Sequence, residues 1–130
     1  MNDPIKSIVI DGQTGELLVA IEMLGDAVIT YDLKLWHESL NQSVLELHGN
    51  NRNPDDDTLE LPVPTLSNKG RYMSCMTFIT FNRPSERADA TVFMKLYDKK
   101  NLEIPLLITT EEYISQQRFH VRGELIIYLD

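Results

Sequence analysis

Residues 29–36 read Ile-Thr-Tyr-Asp-Leu-Lys-Leu-Trp, and this stretch decides the fold class. Ile29, Tyr31, Leu33 and Leu35 share one parity, and Thr30, Asp32, Lys34 and Trp36 the other. A period of two describes a strand with one buried face, because successive side chains point to opposite sides of the pleat. The same period recurs on either side. Ile8 and Ile10 open a short first strand, and Leu17, Val19, Ile21 and Met23 line one face of a second. Val44, Glu46 and His48 oppose Leu45 and Leu47, and Val92, Met94 and Leu96 alternate with Phe93, Lys95 and Tyr97. Residues 71–81 are apolar on both faces, with Tyr72, Met76 and Phe78 opposite Met73, Cys75, Ile79 and Phe81, as in a strand covered on both sides.

Turn chemistry separates these runs. Asp11 to Gly15, Asn68-Lys69-Gly70 and Asp98 to Asn101 are turn clusters, and Gly25-Asp26 has the order of a type II′ hairpin. Pro62, Pro64 and Pro105 confine their neighbourhoods to sheet edges. Residues 102–108 and 118–129 read as the last two strands, with Gly123 as a bulge. One helical signal interrupts them. Thr109 and Glu112 have capping-box spacing, which predicts a short helix near 110–117. The sum is an all-β chain of eight or nine strands in a single antiparallel β-sandwich, immunoglobulin-like or jelly-roll, spanning 1–130 as one domain.

Composition narrows the class. The chain has 130 residues, 42% of them hydrophobic, and a formal net charge of −8. A domain this size buries about two-thirds of its unfolded surface and folds without a metal or disulfide. The acidic balance disfavours nucleic acid, and the basic residues are scattered in pairs rather than gathered in an aromatic-lined stripe. Cys75 is the only cysteine, so no intramolecular disulfide forms. The apolar run from Ile8 to Ile10 is too short for a signal-peptide core, and nothing approaches the roughly 20 apolar residues of a membrane span. These features predict a soluble cytoplasmic protein.

No local catalytic motif is present. His37, His48 and His120 do not pair at ligand spacing, and Cys75 sits mid-strand among apolar residues, as a buried inert thiol does. The expectation is a non-enzyme without cofactor. In the loop 49–57, Asn51, Asn53, Asp55 and Asp57 alternate as oxygen ligands do in calcium loops. The loop lacks the central glycine and closing glutamate of an EF-hand, and Arg52 brings positive charge, so turn formation outranks calcium. Trp36, with His37 and Glu38 beside it, has the composition of a sugar platform. The more informative observation is that Trp36, Phe93 and Tyr97 fall on the nominally outward parity. Large aromatics on outer faces anchor protein partners. They are the interface candidates for a protein partner or self-association, with a carbohydrate- or calcium-binding module as the alternative.

Overall fold

The computed structural model describes residues 2–37, 41–52 and 57–130. Among these residues it is all-β, with nine strands in two sheets. The strands are β1 (Ile5–Ile8), β2 (Leu17–Gly25), β3 (Val28–His37), β4 (Gln42–Asn50), β5 (Thr58–Glu60), β6 (Arg71–Thr80), β7 (Asp89–Asp98), β8 (Leu107–Ile114) and β9 (His120–Leu129). A 3-10 turn, Thr65–Asn68, precedes β6. One sheet has the order β1-β9-β6-β3-β4 and the other β5-β2-β7-β8. All pairings are antiparallel except β1 with β9, which run parallel.

The parity read from the sequence is the parity of burial. Ile29, Tyr31, Leu33 and Leu35 of β3 are buried, as are Leu17, Val19 and Ile21 of β2 and Val92, Met94 and Leu96 of β7. They join Met73, Cys75 and Ile79 of β6 and Leu125 and Ile127 of β9 in one hydrophobic cluster drawn from both sheets. Burying apolar side chains at about 25 cal/mol per Å² is what holds such layers together. A polar bridge also crosses the core. The Tyr113 hydroxyl of β8 lies 2.5 Å from the Thr77 hydroxyl of β6 and shares a hydrogen bond with it.

Three local expectations are corrected. The helix near 110–117 does not form, because residues 107–114 are strand β8. Thr109 and Tyr113 point inward at strand spacing, and β8 completes the ladder on β7 from Leu107↔Leu96 to Ile114↔Asp89. A capping box is a local signal, and the β-branched run Ile108-Thr109-Thr110 satisfies the unpaired edge of β7 better as a strand. Gly25-Asp26 is not a hairpin turn, since β2 and β3 belong to different sheets. Gly25 is there because its φ is +125° and a Cβ would strike the Asp89 carbonyl. Gly123 is not a bulge either. Its register with Thr77 is unbroken, and a Cβ would collide with the Tyr113 hydroxyl.

Candidate functional site

The outward parity of β3, β6 and β9 builds the candidate site. Cross-strand register sets Trp36 opposite Tyr72, and Tyr72 opposite Tyr128, so three aromatic rings form a row across three strands. The Tyr72 and Tyr128 ring centroids are 5.7 Å apart at 42°, an aromatic contact worth about 0.5–1.5 kcal/mol beyond area burial. The Lys34 ammonium stands 5.5 Å from the Trp36 ring centre. Further along the same face, Ile126 lies beside Ile5, Met76 beside Glu124, and Phe78 beside Arg122, whose guanidinium is 5.5 Å from the Phe78 ring. Met76, Phe78 and Tyr128 are 37%, 38% and 38% exposed, and Ile5 57%. Neighbouring large apolar groups left this open are unusual on a sheet whose other side is already buried.

A charged corner flanks the row at the β3–β4 pair. His48 Nδ1 lies 3.1 Å from Asp32 Oδ1, and its Nε2 lies 3.8 Å from Glu46. The Lys34 ammonium is 3.9 Å from both Asp32 and Glu46. Deeper in the face, the Ser74 hydroxyl donates to Glu124 at 2.6 Å.

The three aromatics singled out by parity do not come together. Trp36 is on the outer face of the five-stranded sheet; Phe93 and Tyr97 are on the outer face of the four-stranded one. A register irregularity does occur between Leu35 and Trp36, but the extra residue lies in β4, and Trp36 keeps its parity against β6. Phe93 sits between Glu22 and Thr110, with the Lys95 ammonium over its ring and paired to Glu22. The partners that sequence reading missed are Tyr72, Phe78 and Tyr128. The two-sided apolarity of residues 71–81 was their signal, but only the register shows that Tyr72 meets Trp36.

Of the calcium-loop residues, Asn53 and Asp55 lie outside the described residues, as does Glu38 beside Trp36. The Asn51 carboxamide is committed at both ends. Its Oδ1 accepts from the Ile29 N–H at 3.0 Å and its Nδ2 donates to the Ala27 carbonyl at 2.8 Å. Asp57 accepts from the Tyr31 hydroxyl at 2.6 Å. Burial, then this hydrogen bond, pushes the Tyr31 hydroxyl far above its usual ionisation range. Among the described residues, no group of three His, Cys, Asp or Glu is placed to hold a metal ion.

Cys75 is wholly buried on the inward face, and burial followed by the nearby Asp32 and Glu124 charges pushes its thiol far up. The histidines are spread out. His37 pairs with Arg71 at one end of β6, His120 with Thr80 at the other, and His48 lies on the outer face. The grooves at the loop ends, one lined by Pro84, Glu86, Arg87 and Gln117, another by Asp26, Asn82, Arg83 and Ala88, contain neither Cys75 nor a histidine. Among the described residues, no helix is long and apolar enough to cross a membrane. No family model, curated protein or solved structure matches the chain.

Proposed function

We propose that residues 1–130 form one non-enzymatic β-sandwich domain that acts through protein–protein contacts, as an oligomer or as a subunit of a larger assembly. The observation that carries this reading is the aromatic row Trp36–Tyr72–Tyr128 and its apolar continuation through Ile126, Met76 and Phe78. Half-exposed Trp and Tyr on a rigid sheet lose little conformational freedom on binding, and they are the residue types that dominate interface energetics. The core shared by two sheets supports the single sandwich. The nested pairs β1–β9, β2–β7 and β3–β6 favour a jelly-roll wrapping. An immunoglobulin-like order keeps the first two strands in one sheet, and here β1 and β2 are in different sheets. The buried, unpaired Cys75 suits a reducing, cytoplasmic setting.

The test is the mass of the chain in solution, by light scattering after size exclusion, both purified and as drawn from its native source. The expected result is a species heavier than the 14.9 kDa chain. Trp36→Ala with Tyr72→Ala lowers the mass of the assembly drawn from the native source while the far-UV spectrum and the cooperativity of unfolding persist. Phe93→Ala with Tyr97→Ala, on the other sheet, leaves it intact. A 14.9 kDa species in both preparations, with an oligosaccharide or calcium raising the melting temperature, would replace this reading with the ligand-binding alternative.

A further inference from the structure

The two sheets have four edges, and three are blunted. β5 is three residues long and runs into Pro62 and Pro64. β1 is four residues long and follows Pro4. β8 is covered in part by the N-terminal segment. Asp3 exchanges both backbone hydrogen bonds with Thr110, at 2.8 and 3.0 Å, and the Asn2 side chain accepts from the Glu112 N–H at 2.6 Å. β4 is different. It runs for nine residues without proline or lysine, and after the irregularity at its start Leu45 to Asn50 pair regularly with β3. An edge of this kind is a template for another strand.

The direction of its free groups follows from the ladder. The Asn51 N–H donates to the Ile29 carbonyl, which puts the odd-numbered residues of β4 in hydrogen-bonded pairs with β3. Glu46, His48 and Asn50 therefore turn their backbone N–H and C=O groups away from β3, toward the side where no strand among the described residues pairs with β4. Their side chains project onto the outer face. Half-buried Leu45 and Leu47 lie on the inner parity, packed at the margin of the core, and Leu59 of β5 closes the same side.

We infer that the occupant of this edge is a second copy of the chain, paired antiparallel through β4 about a two-fold axis at Leu47. In that register Glu46 of each copy faces His48 of the other, and the two Leu47 side chains meet on the core side. Leu45 lies opposite Gly49, whose missing side chain is replaced by the Tyr31 ring and the Asp57 carboxylate of its own copy. Moving the register by two residues one way sets Glu46 against Glu46, and like charges directly opposite are destabilising; moving it the other way sets His48 against His48 and leaves each Glu46 without its His48. Charge complementarity thus selects both the partner and the register. The two five-stranded sheets become one continuous sheet, with both aromatic rows on the same side. This rests on the reading of the chain as a protein-contact module.

The test is sedimentation equilibrium of the purified chain over a concentration series. The wild type is expected to reach twice 14.9 kDa. His48→Pro removes the imidazole and, of the backbone, only an N–H that faces away from β3, so the ladder with β3 survives while dimerisation falls by tenfold or more. His48→Lys, which keeps a cation opposite Glu46 at every pH below about 10, tightens the dimer by about two- to fivefold at pH 8. Glu46→Lys weakens it, and Glu46→Lys with His48→Glu restores it. Trp36→Ala with Tyr72→Ala leaves this dimer intact. A dimer that survives His48→Pro but dissolves on the Trp36 and Tyr72 substitutions overturns the edge pairing while keeping the contact reading. A wild-type monomer at every concentration overturns it as well, whatever larger assembly the native source yields.

Discussion

The two outer faces are built on the same core yet differ in how their apolar groups are arranged. On the five-stranded sheet the aromatics sit side by side on adjacent strands, Trp36, Tyr72 and Tyr128, and merge with Ile126, Met76 and Phe78. On the four-stranded sheet Phe93 and Tyr97 lie on one strand, separated by Lys95, which reaches across to Glu22 over the Phe93 ring. Exposure follows the arrangement. Met76, Phe78, Tyr128 and Ile5 are open on the first face, whereas Leu24 is the large apolar residue left open on the strands of the second. On both faces an ion-paired lysine stands 5.5 Å from a ring centre, Lys34 over Trp36 and Lys95 over Phe93, so the cation does not separate the faces; the adjacency of the rings does. The number of outward aromatics therefore matters less than whether the register makes them neighbours.

The comparison is broken most severely from beneath. Gly123→Ala puts a methyl group where the Tyr113 hydroxyl stands and displaces the bridge to Thr77 that ties the two sheets. Overpacking costs about 1–3 kcal/mol, and the Thr77 hydroxyl left unpaired in the core adds about 1–3 kcal/mol. Urea unfolding measures the sum. A loss under about 0.5 kcal/mol, the level of an ordinary surface change, would mean that the faces do not depend on this bridge. Smaller and pH-dependent is the effect of Glu111, beside Tyr113 on β8. Burial raises its carboxyl pKa above the ordinary value of 4.5. The folded form then favours the protonated acid, so this contribution is complete below pH 4.5 and is lost as pH rises through the raised value. Glu111→Gln is expected to raise the melting temperature at pH 7 and to leave it unchanged below pH 4. An equal gain at both pH values would assign the effect to packing. Smallest is Lys95→Ala, which removes the cover from Phe93. Stability is expected to move by no more than about 0.5–1 kcal/mol, as for other partly exposed ion pairs. Light scattering should show no new association, because Phe93 lacks aromatic neighbours on the adjoining strands. Association appearing in this variant would show that covering, and not register, separates the two faces.

Much of the fold was legible because strand parity is a property of single segments. Ile29 to Leu35 and Val92 to Leu96 point inward as their alternation requires. What failed depends on distant partners. The Thr109–Glu112 spacing is as good a helix signal in isolation as any, and only the open edge of β7 converts it to strand. Gly25 and Gly123 carry the composition of turn and bulge, but each is set by a group from another strand, the Asp89 carbonyl and the Tyr113 ring. The site was half legible for the same reason. Outwardness of Trp36 could be read along its own strand, but residues 71–81 are apolar on both faces, so parity alone did not turn Tyr72 outward, and the adjacency of the two is a matter of register between β3 and β6. Grouping Trp36 with Phe93 and Tyr97 joined residues that two sheets hold apart.

The parallel strand pair has a consequence in time. Ile5 lies opposite Ile126, so the five-stranded sheet finishes only when segments from the two ends of this sequence meet. Closing so long a loop is entropically slow, and topologies dominated by distant contacts fold in milliseconds to seconds. At about 5–20 residues per second of synthesis, strand β1 waits several seconds for its mate. In the last part of that interval, once β6 is made and until β9 follows, the β6 edge that β9 will cover is bare, and the Tyr72 side of the sheet has no neighbour there. The surface that offers itself to partners in the finished molecule is thus also the last to be assembled, and the one most in need of protection while the chain is young.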